Sequence, residues 1–440
     1  MADVTVGTNR VSSKGIYFLL GLMTYMLFPG PGVNAAIPTG KGKSQSQSLN
    51  QESGLISFRP RNYTDYVSRQ SVNWPRKGLI SFQVVGGAGG LQKNIPVTVG
   101  EVFQRDAVGP DSHLVARIGG TEVPLQVDRK ATWNDGSLKH AIITVRVPRL
   151  DAGSRSFVTL YTTDKAGNHA GSVTIRDLLS SGFNAEVSLH IKGKDYRVNA
   201  RRLLEAALHK GNCKPWGREC NKWLAGPLVT EWLVGGALET PNGNVDPHLH
   251  VYFYIRAYAD NAVDTKVNRA RVDIVVENDW SYVKDPSNIT YDATLTVGRH
   301  LYHAQQLDNY AHTRWHKVMW WGGRPRVYLR LDGKYIQATG AVSEYANVRP
   351  TNQFLSTVRT SFPPMTKGDQ TTNMGATGAQ PAIGPLPRWT TTYVISTDPR
   401  AFGWMLANDD AVGSYPFHYR DEATGRPLEI TNHPYVTIAD

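Results

Sequence analysis

Hydrophobic and polar residues alternate with a period of two over much of this chain. Val123, Leu125 and Val127 are spaced in this way, as are Ile143, Val145 and Val147, and between the two runs stands Trp133-Asn-Asp-Gly136. Such alternation predicts half-buried strands, and Asp-Gly supplies the positive φ angles of a tight reversal, so residues 123–147 read as an antiparallel pair with Trp133 at its corner. Further short runs at residues 79–85, 95–99, 114–118 and 156–161 are separated by Gly, Pro or Asp. Short strands at this spacing predict a small barrel. Longer strand patterns follow at 186–191, 228–234, 248–258, 270–277, 290–297 and 326–331. One segment breaks the period: Leu203, Leu204, Ala207 and Leu208 share a helical face, which predicts a helix over 200–209, and a second helix is expected over 398–409.

The N-terminus changes the picture of where this fold works. Arg10 and Lys14 precede an apolar run of 13 residues, Ile16 to Phe28, broken only by Thr24 and closed by Pro29-Gly-Pro-Gly32, and Ala35-Ala36 offers small residues for cleavage. That layout is a secretory signal peptide over 1–36, with an uncleaved anchor as the alternative, because a span needs roughly 20 apolar residues. The expected location is secreted or periplasmic, with no stable membrane span. Residues 38–52 are rich in Gly, Lys, Ser and Gln and too poor in apolar groups to fold, so 37–76 reads as a linker. In an exported chain the two cysteines, Cys213 and Cys220, favour a local disulfide across a Pro- and Gly-containing span. Two thiolates alone fall short of a zinc site.

Net charge is +11, with Lys and Arg scattered and not clustered in a block. Such a surface suits an acidic polysaccharide, or serves solubility alone. No nucleic-acid motif accompanies the charge, and nucleic acid is not an expected partner.

Several strings resemble a family. Pro124-Leu-Gln126, Trp133-Asn-Asp-Gly-Ser137 and Pro96-Val-Thr-Val-Gly-Glu-Val-Phe103 resemble the N-terminal RIFT barrel of exo-rhamnogalacturonan lyases and their uncharacterised bacterial relatives, over roughly residues 77–163. Trp223-Leu-Ala-Gly-Pro227, Glu231-Trp232, Glu277-Asn-Asp-Trp280 and 314–321 resemble the central β-sandwich of those lyases. The resemblance implies a mainly β chain: a RIFT-like barrel over 77–174, a larger sandwich over 175–350, and a short, partly helical extension over 351–440. In the family this extension leads into an α/α toroid, and about 50 residues after Gly384 leave no room for one. The implied role is contact with an acidic or pectin-like polysaccharide, with lyase chemistry in question. The alternative from another class is an extracellular or virion-surface structural or adhesion protein, for which self-assembly would be the mark.

Candidate chemistry falls in the second β region. Arg314-Trp315-His316, followed by Trp320-Trp321, gathers a guanidinium, an imidazole and three indoles. Indoles can stack on sugar rings, arginine forks match uronate carboxylates, and His316 could take a proton beside a carboxylate that Arg314 neutralises. A strand from Thr313 would put Arg314 and His316 on one face and turn Trp315 to the core. Buried indoles in a sandwich are the competing reading. His248 and His250 also share a strand face and are expected to join the same groove with Glu231. Asp246 and Glu231 could complete a metal set, although a structural role for the histidines is favoured and no metal is expected. Glu231 and Glu277 could form a hydrolase carboxylate pair. No nucleophile elbow, phosphate loop or dinucleotide fingerprint is present, so no cofactor is expected.

Overall fold

In the computed structural model, residues 73–434 are described, except 76, 166–170, 211, 214–216, 219–221, 261–264, 345–348 and 371–385. The signal segment, nearly all of the linker and the expected Cys213–Cys220 pairing lie outside the described residues. Among the described residues no helix is long and apolar enough to cross a membrane.

The fold is mainly β, with a nearly closed barrel-like sheet and a short helical C-terminal segment. Among the described residues seven strands come first: β1 (Ile80–Gly86), β2 (Gln92–Val102), β3 (His113–Ile118), β4 (Thr121–Val123), β5 (Leu125–Thr132), β6 (Leu138–Leu150) and β7 (Arg155–Thr163). The short helix α1 (Ile175–Ser180) leads into β8 (Ala185–Ile191), β9 (Lys194–Asn199) and α2 (Ala200–Lys210). Two-residue strands follow, β10 (Asn212–Cys213), β11 (Gly217–Arg218) and β12 (Leu224–Ala225). Long strands then come in succession: β13 (Val229–Glu239), β14 (Val245–Ala259), β15 (Val267–Asn278), β16 (Ile289–Val297), β17 (His300–Asn309) and β18 (Thr313–Gly322), before β19 (Val327–Leu331).

The first unit is a pair of sheets, β19-β1-β7-β3-β4 and β2-β6-β5, closed around Phe82, Ile95, Val97, Phe103, Val145 and Leu160. The alternation at 123–127 is real, yet the chain changes sheet inside it. Pro124, which lacks an N–H, separates β4 on one sheet from β5 on the other. The reversal at 133–137 is also longer than a two-residue turn. Gly136 takes φ +84°, while Asp135 stays at negative φ and accepts from both the amide (2.9 Å) and hydroxyl (2.6 Å) of Ser137. Those hydrogen bonds hold the Asp135 carboxyl below its usual range. β19 follows the sandwich strands in the chain but pairs with β1, Phe82 opposite Leu331, so the first unit is completed by a segment read from sequence as part of the second.

The second unit is one nine-stranded sheet, β17-β16-β8-β9-β13-β14-β15-β18, with β12 added beside β13. Its halves enclose one core: Leu189 and Leu295 from one side meet Trp232, Phe253, Ile274 and Trp315 from the other. α2 forms where its leucine spacing predicts and buries Leu204 in that core.

Gln126, in the first unit, ties the two together. Its carbonyl accepts from the amides of Leu228 (2.9 Å) and Val229 (3.0 Å), and its amide donates to Val229 O (2.9 Å) and Asp128 Oδ2 (2.8 Å). Residue 226 must be glycine for this to fit, since a Cβ there would lie 2.4 Å from the Gln126 amide carbon. Ile142, Leu224, Val229 and Tyr258 form a small apolar cluster at the same junction.

Among the described residues four further helices follow β19: α3 (Gly333–Ala338), α4 (Asn352–Thr357), α5 (Arg388–Ser396) and α6 (Pro399–Ala411), the last running into the 3-10 turn Val412–Ser414. Asp398 caps α6 through the amide of Arg400 (2.8 Å), with Pro399 in its first turn. Leu355, Trp389, Tyr393, Trp404 and Met405 give these helices a core of their own.

Candidate functional site

Because side chains alternate along a strand, the four neighbouring strands β13, β14, β15 and β18 present one apolar and one polar face. Trp232, Phe253, Ile255, Val272, Ile274 and Trp315 point into the core. The opposite face is read off the register as rungs across the sheet. Glu231, Arg256, Arg271 and Trp320 form one; Leu233, Tyr254, Asp273 and Val318 the next; Gly235, Tyr252, Val275 and His316 the third; Ala237, His250, Glu277 and Arg314 the fourth.

Ion pairs fix this face. Arg256 Nε donates to Glu231 Oε2 at 2.6 Å, and Arg271 Nη2 donates to Asp273 Oδ2 at 3.3 Å. His316 stands between two carboxylates, Nδ1 2.7 Å from Asp273 Oδ1 and Nε2 2.8 Å from Asp410 Oδ1 at the end of α6. Burial alone would lower the His316 pKa, but the charge and hydrogen bond of Asp273, joined by those of Asp410, override it and raise it to about 10. Burial would raise Asp273, yet His316 and Arg271 hold its carboxyl well below the usual range. His316 is therefore a fixed cation at neutral pH, not a base awaiting a proton. The side chains keep some access to solvent: 21% for Arg256, 27% for Arg271, 18% for Asp273, 20% for Arg314 and 25% for His316.

At the other end lies a drier cluster. Glu277 Oε2 meets His250 Nε2 at 2.9 Å and accepts from Arg420 Nε at 2.8 Å. Its Oε1 accepts from Arg420 Nη2 at 3.0 Å, with Arg314 Nη1 at 3.4 Å. Asp279 Oδ1 lies 3.4 Å from His250 Nε2. Burial would raise Glu277, but Arg420 and His250 keep it low, whereas burial and the charge of Glu277 push Asp279 well above its ordinary value. Burial and Arg420 lower Arg314 to about 9, and burial lowers His250. The His250 ring stacks on Trp280 at 3.9 Å, and the Arg420 guanidinium sits 4.6 Å from the Tyr252 ring. The donor atoms of His250, Glu277 and Asp279 lie within 4.8 Å of one another. Trp280 also lines an open cavity of about 520 Å³, with Pro247, Tyr282, Val283 and residues 421–423.

Arg420 reaches the cluster because the C-terminal segment is stitched to the loop after β15. The Arg420 amide donates to Asp279 O (2.8 Å), and the Ser281 amide donates to Arg420 O (2.9 Å).

The residues expected from sequence divide among these environments. Arg314 and His316 share the outer face, and Arg314 meets His250 through Glu277, so the two sequence segments do converge. Trp315 is in the core, 2% exposed, its indole N–H donating to Tyr291 Oη at 2.7 Å. Trp321 packs edge-on against Phe183 beside the same core. Trp320 does lie on the outer face but stacks on Tyr258 at the junction of the units. Trp315 is thus a core residue, whereas Trp320 and Trp321 are half-buried, each packed against a neighbouring ring. His248 is half-buried, and its amide and that of Leu249 donate to Asp246 Oδ1, at 2.9 and 2.7 Å; Asp246 thus caps the chain locally. Glu231 lies six residues from Glu277 along the sheet, roughly 20 Å, too far for a hydrolase pair.

Sequence reading missed Asp273, Asp279, Arg256 and Arg271, although charges at alternate positions of β14 and β15 mark a polar face. For Asp410 and Arg420 there is no local signal, since their partners lie in distant segments. Comparison with known protein families and with curated proteins finds no match.

Proposed function

We propose that this protein binds an acidic glycan on the outer face of β13, β14, β15 and β18. The observation that carries the reading is a set of four cationic side chains on one face, Arg256 and Arg271 on the first rung, His316 on the third and Arg314 on the fourth, all partly open to solvent. Each is held by a carboxylate, so the face is ordered before a ligand arrives and loses little freedom on binding. A paired guanidinium keeps N–H groups to spare, and its fork matches a uronate carboxylate. Tyr254, between the arginines, offers an aromatic surface for a sugar ring. The net charge of +11 supports attraction to a polyanion, and the expected export would bring the protein to such polymers. The resemblance to exo-rhamnogalacturonan lyases agrees with a pectin-like ligand. The reading is one of binding: His316 keeps its proton and contributes charge.

Calorimetric titration with oligogalacturonides, against neutral dextran as control, tests it. Binding should weaken as salt rises, and Arg271→Ala should cost about tenfold or more in affinity with the thermal transition largely kept. No binding to the oligouronide, or equal affinity in Arg271→Ala, would overturn the reading.

A further inference from the structure

We propose that His250, Glu277 and Asp279 form a binding site for one divalent transition-metal ion, with Zn²⁺ the best match. The strand register builds the donor set. His250 on β14 stands directly opposite Glu277 on β15, and Asp279, two residues on, returns to the same side. Their donor atoms are already spaced like ligands on one ion: His250 Nε2 is 2.9 Å from Glu277 Oε2 and 3.4 Å from Asp279 Oδ1. Four ligands about 2.1 Å from a tetrahedral Zn²⁺ would sit roughly 3.4 Å apart. One imidazole and two carboxylates are donors of the kind zinc accepts, and three protein ligands leave a position for water.

A second observation points to a missing partner. Asp279 is 2% exposed, and its Oδ1, aimed at His250, accepts no hydrogen bond. A buried carboxylate oxygen in that condition is costly, and a cation satisfies it directly. A 520 Å³ cavity lies close by: Trp280, stacked on His250, separates the cluster from it, and its lining includes Asp421 and Glu422. Those acids would draw cations towards its mouth.

Arg420 is the counter-argument, since its guanidinium already holds both oxygens of Glu277. It need not leave. Binding asks only that the His250–Glu277 contact give way, with the His250 proton on Nδ1 and the Nε2 lone pair turned to the ion; Arg420 then hydrogen-bonds a metal-bound carboxylate from outside, as outer partners commonly do. By inverse distance, attraction to each carboxylate at about 2.1 Å is roughly twice the repulsion from a guanidinium at about 4 Å. His250, Glu277 and Asp279 would thereby fasten the loop after β15, and with it the C-terminal segment, to the sheet.

The test uses the full chain, stripped with chelator and titrated with ZnCl₂ in a non-coordinating buffer. Binding of one equivalent is expected, and Co²⁺ in its place should give visible d–d absorption of a four- or five-coordinate site. Asp279→Asn, which keeps the shape, should lose at least tenfold in Zn²⁺ affinity. If that variant fails to fold, the wild-type Co²⁺ spectrum and stoichiometry decide alone. Substoichiometric zinc, an octahedral aqua-like Co²⁺ spectrum, or unchanged affinity in folded Asp279→Asn would overturn the proposal. None of these readouts involves a glycan, so the outcome is independent of the binding face proposed above.

Discussion

Glu277 on β15 and Arg420, 143 residues later, meet through two hydrogen bonds of 2.8 and 3.0 Å in an environment where both are almost fully enclosed. The carboxylate is central to the polar cluster, and the guanidinium joins the backbone hydrogen bonds of residues 418 and 420 in fixing the C-terminal segment to the second unit. Removing one member leaves the other charge buried without compensation, which is far costlier than losing the net value of the pair.

Arg420→Ala should therefore destabilise the protein by about 3–5 kcal/mol, measured as the shift in urea unfolding. Arg420→Ala with Glu277→Gln should recover part of that loss. If the single variant unfolds with the wild-type midpoint, Arg420 does not fasten the segment.

Gln126 offers a second test, of the junction between the two units. Gln126→Ala strands the buried amides of Leu228 and Val229, each losing its partner. The expected cost is about 2–6 kcal/mol, from one to three for each of the two unsatisfied buried donors. A separation of the unfolding transition into two phases would show that Gln126 couples the units; an unchanged single transition would show that the apolar cluster suffices.

His316 gives the stability a definite pH dependence. Its pKa is raised from 6.5 in the unfolded chain to about 10 in the fold. Below 6.5 both states carry the proton and its contribution is complete; as pH rises towards 10 the unfolded chain releases the proton first, and the contribution is lost. His316→Gln should flatten the fall in stability between pH 6.5 and 10 by about 2–4 kcal/mol, less than the full shift because the ring is a quarter exposed. Parallel curves for the two proteins over that range would refute the pairing with Asp273 and Asp410.

Glu101 on β2 runs the same way for a different reason. It is 2% exposed, its Oε1 lacks a hydrogen-bond partner, and burial, with the charge of Asp332 added, raises it to about 8. The fold takes up a proton here that the unfolded chain lacks above pH 4.5, so each pH unit from there to 8 weighs against folding. Glu101→Gln removes that burden and should stabilise the protein at pH 8 by about 1–3 kcal/mol, with little effect at pH 4. Thermal melts at the two pH values measure it, and equal stability changes at both would be the contrary result.

What the sequence determined by itself is periodic. The twofold alternation located most of the long strands, though not β17, the leucine spacing in 200–209 located α2, and both succeed because burial of one face is a local demand that every residue in an element must meet. The same rule placed Arg314 and His316 on one side of β18 and Trp315 on the other. Only the tertiary structure decided what those sides face. It set Trp320 against Tyr258, enclosed His316 between Asp273 and Asp410, and brought Arg420 to Glu277. It also returned β19 to β1 across the whole second unit. These relations join residues from tens to hundreds of positions apart. Pairing at that range depends on how sheets bend and where loops return, which no local period encodes, whereas the charge states of His316 and Asp279 follow only from the neighbours so assembled.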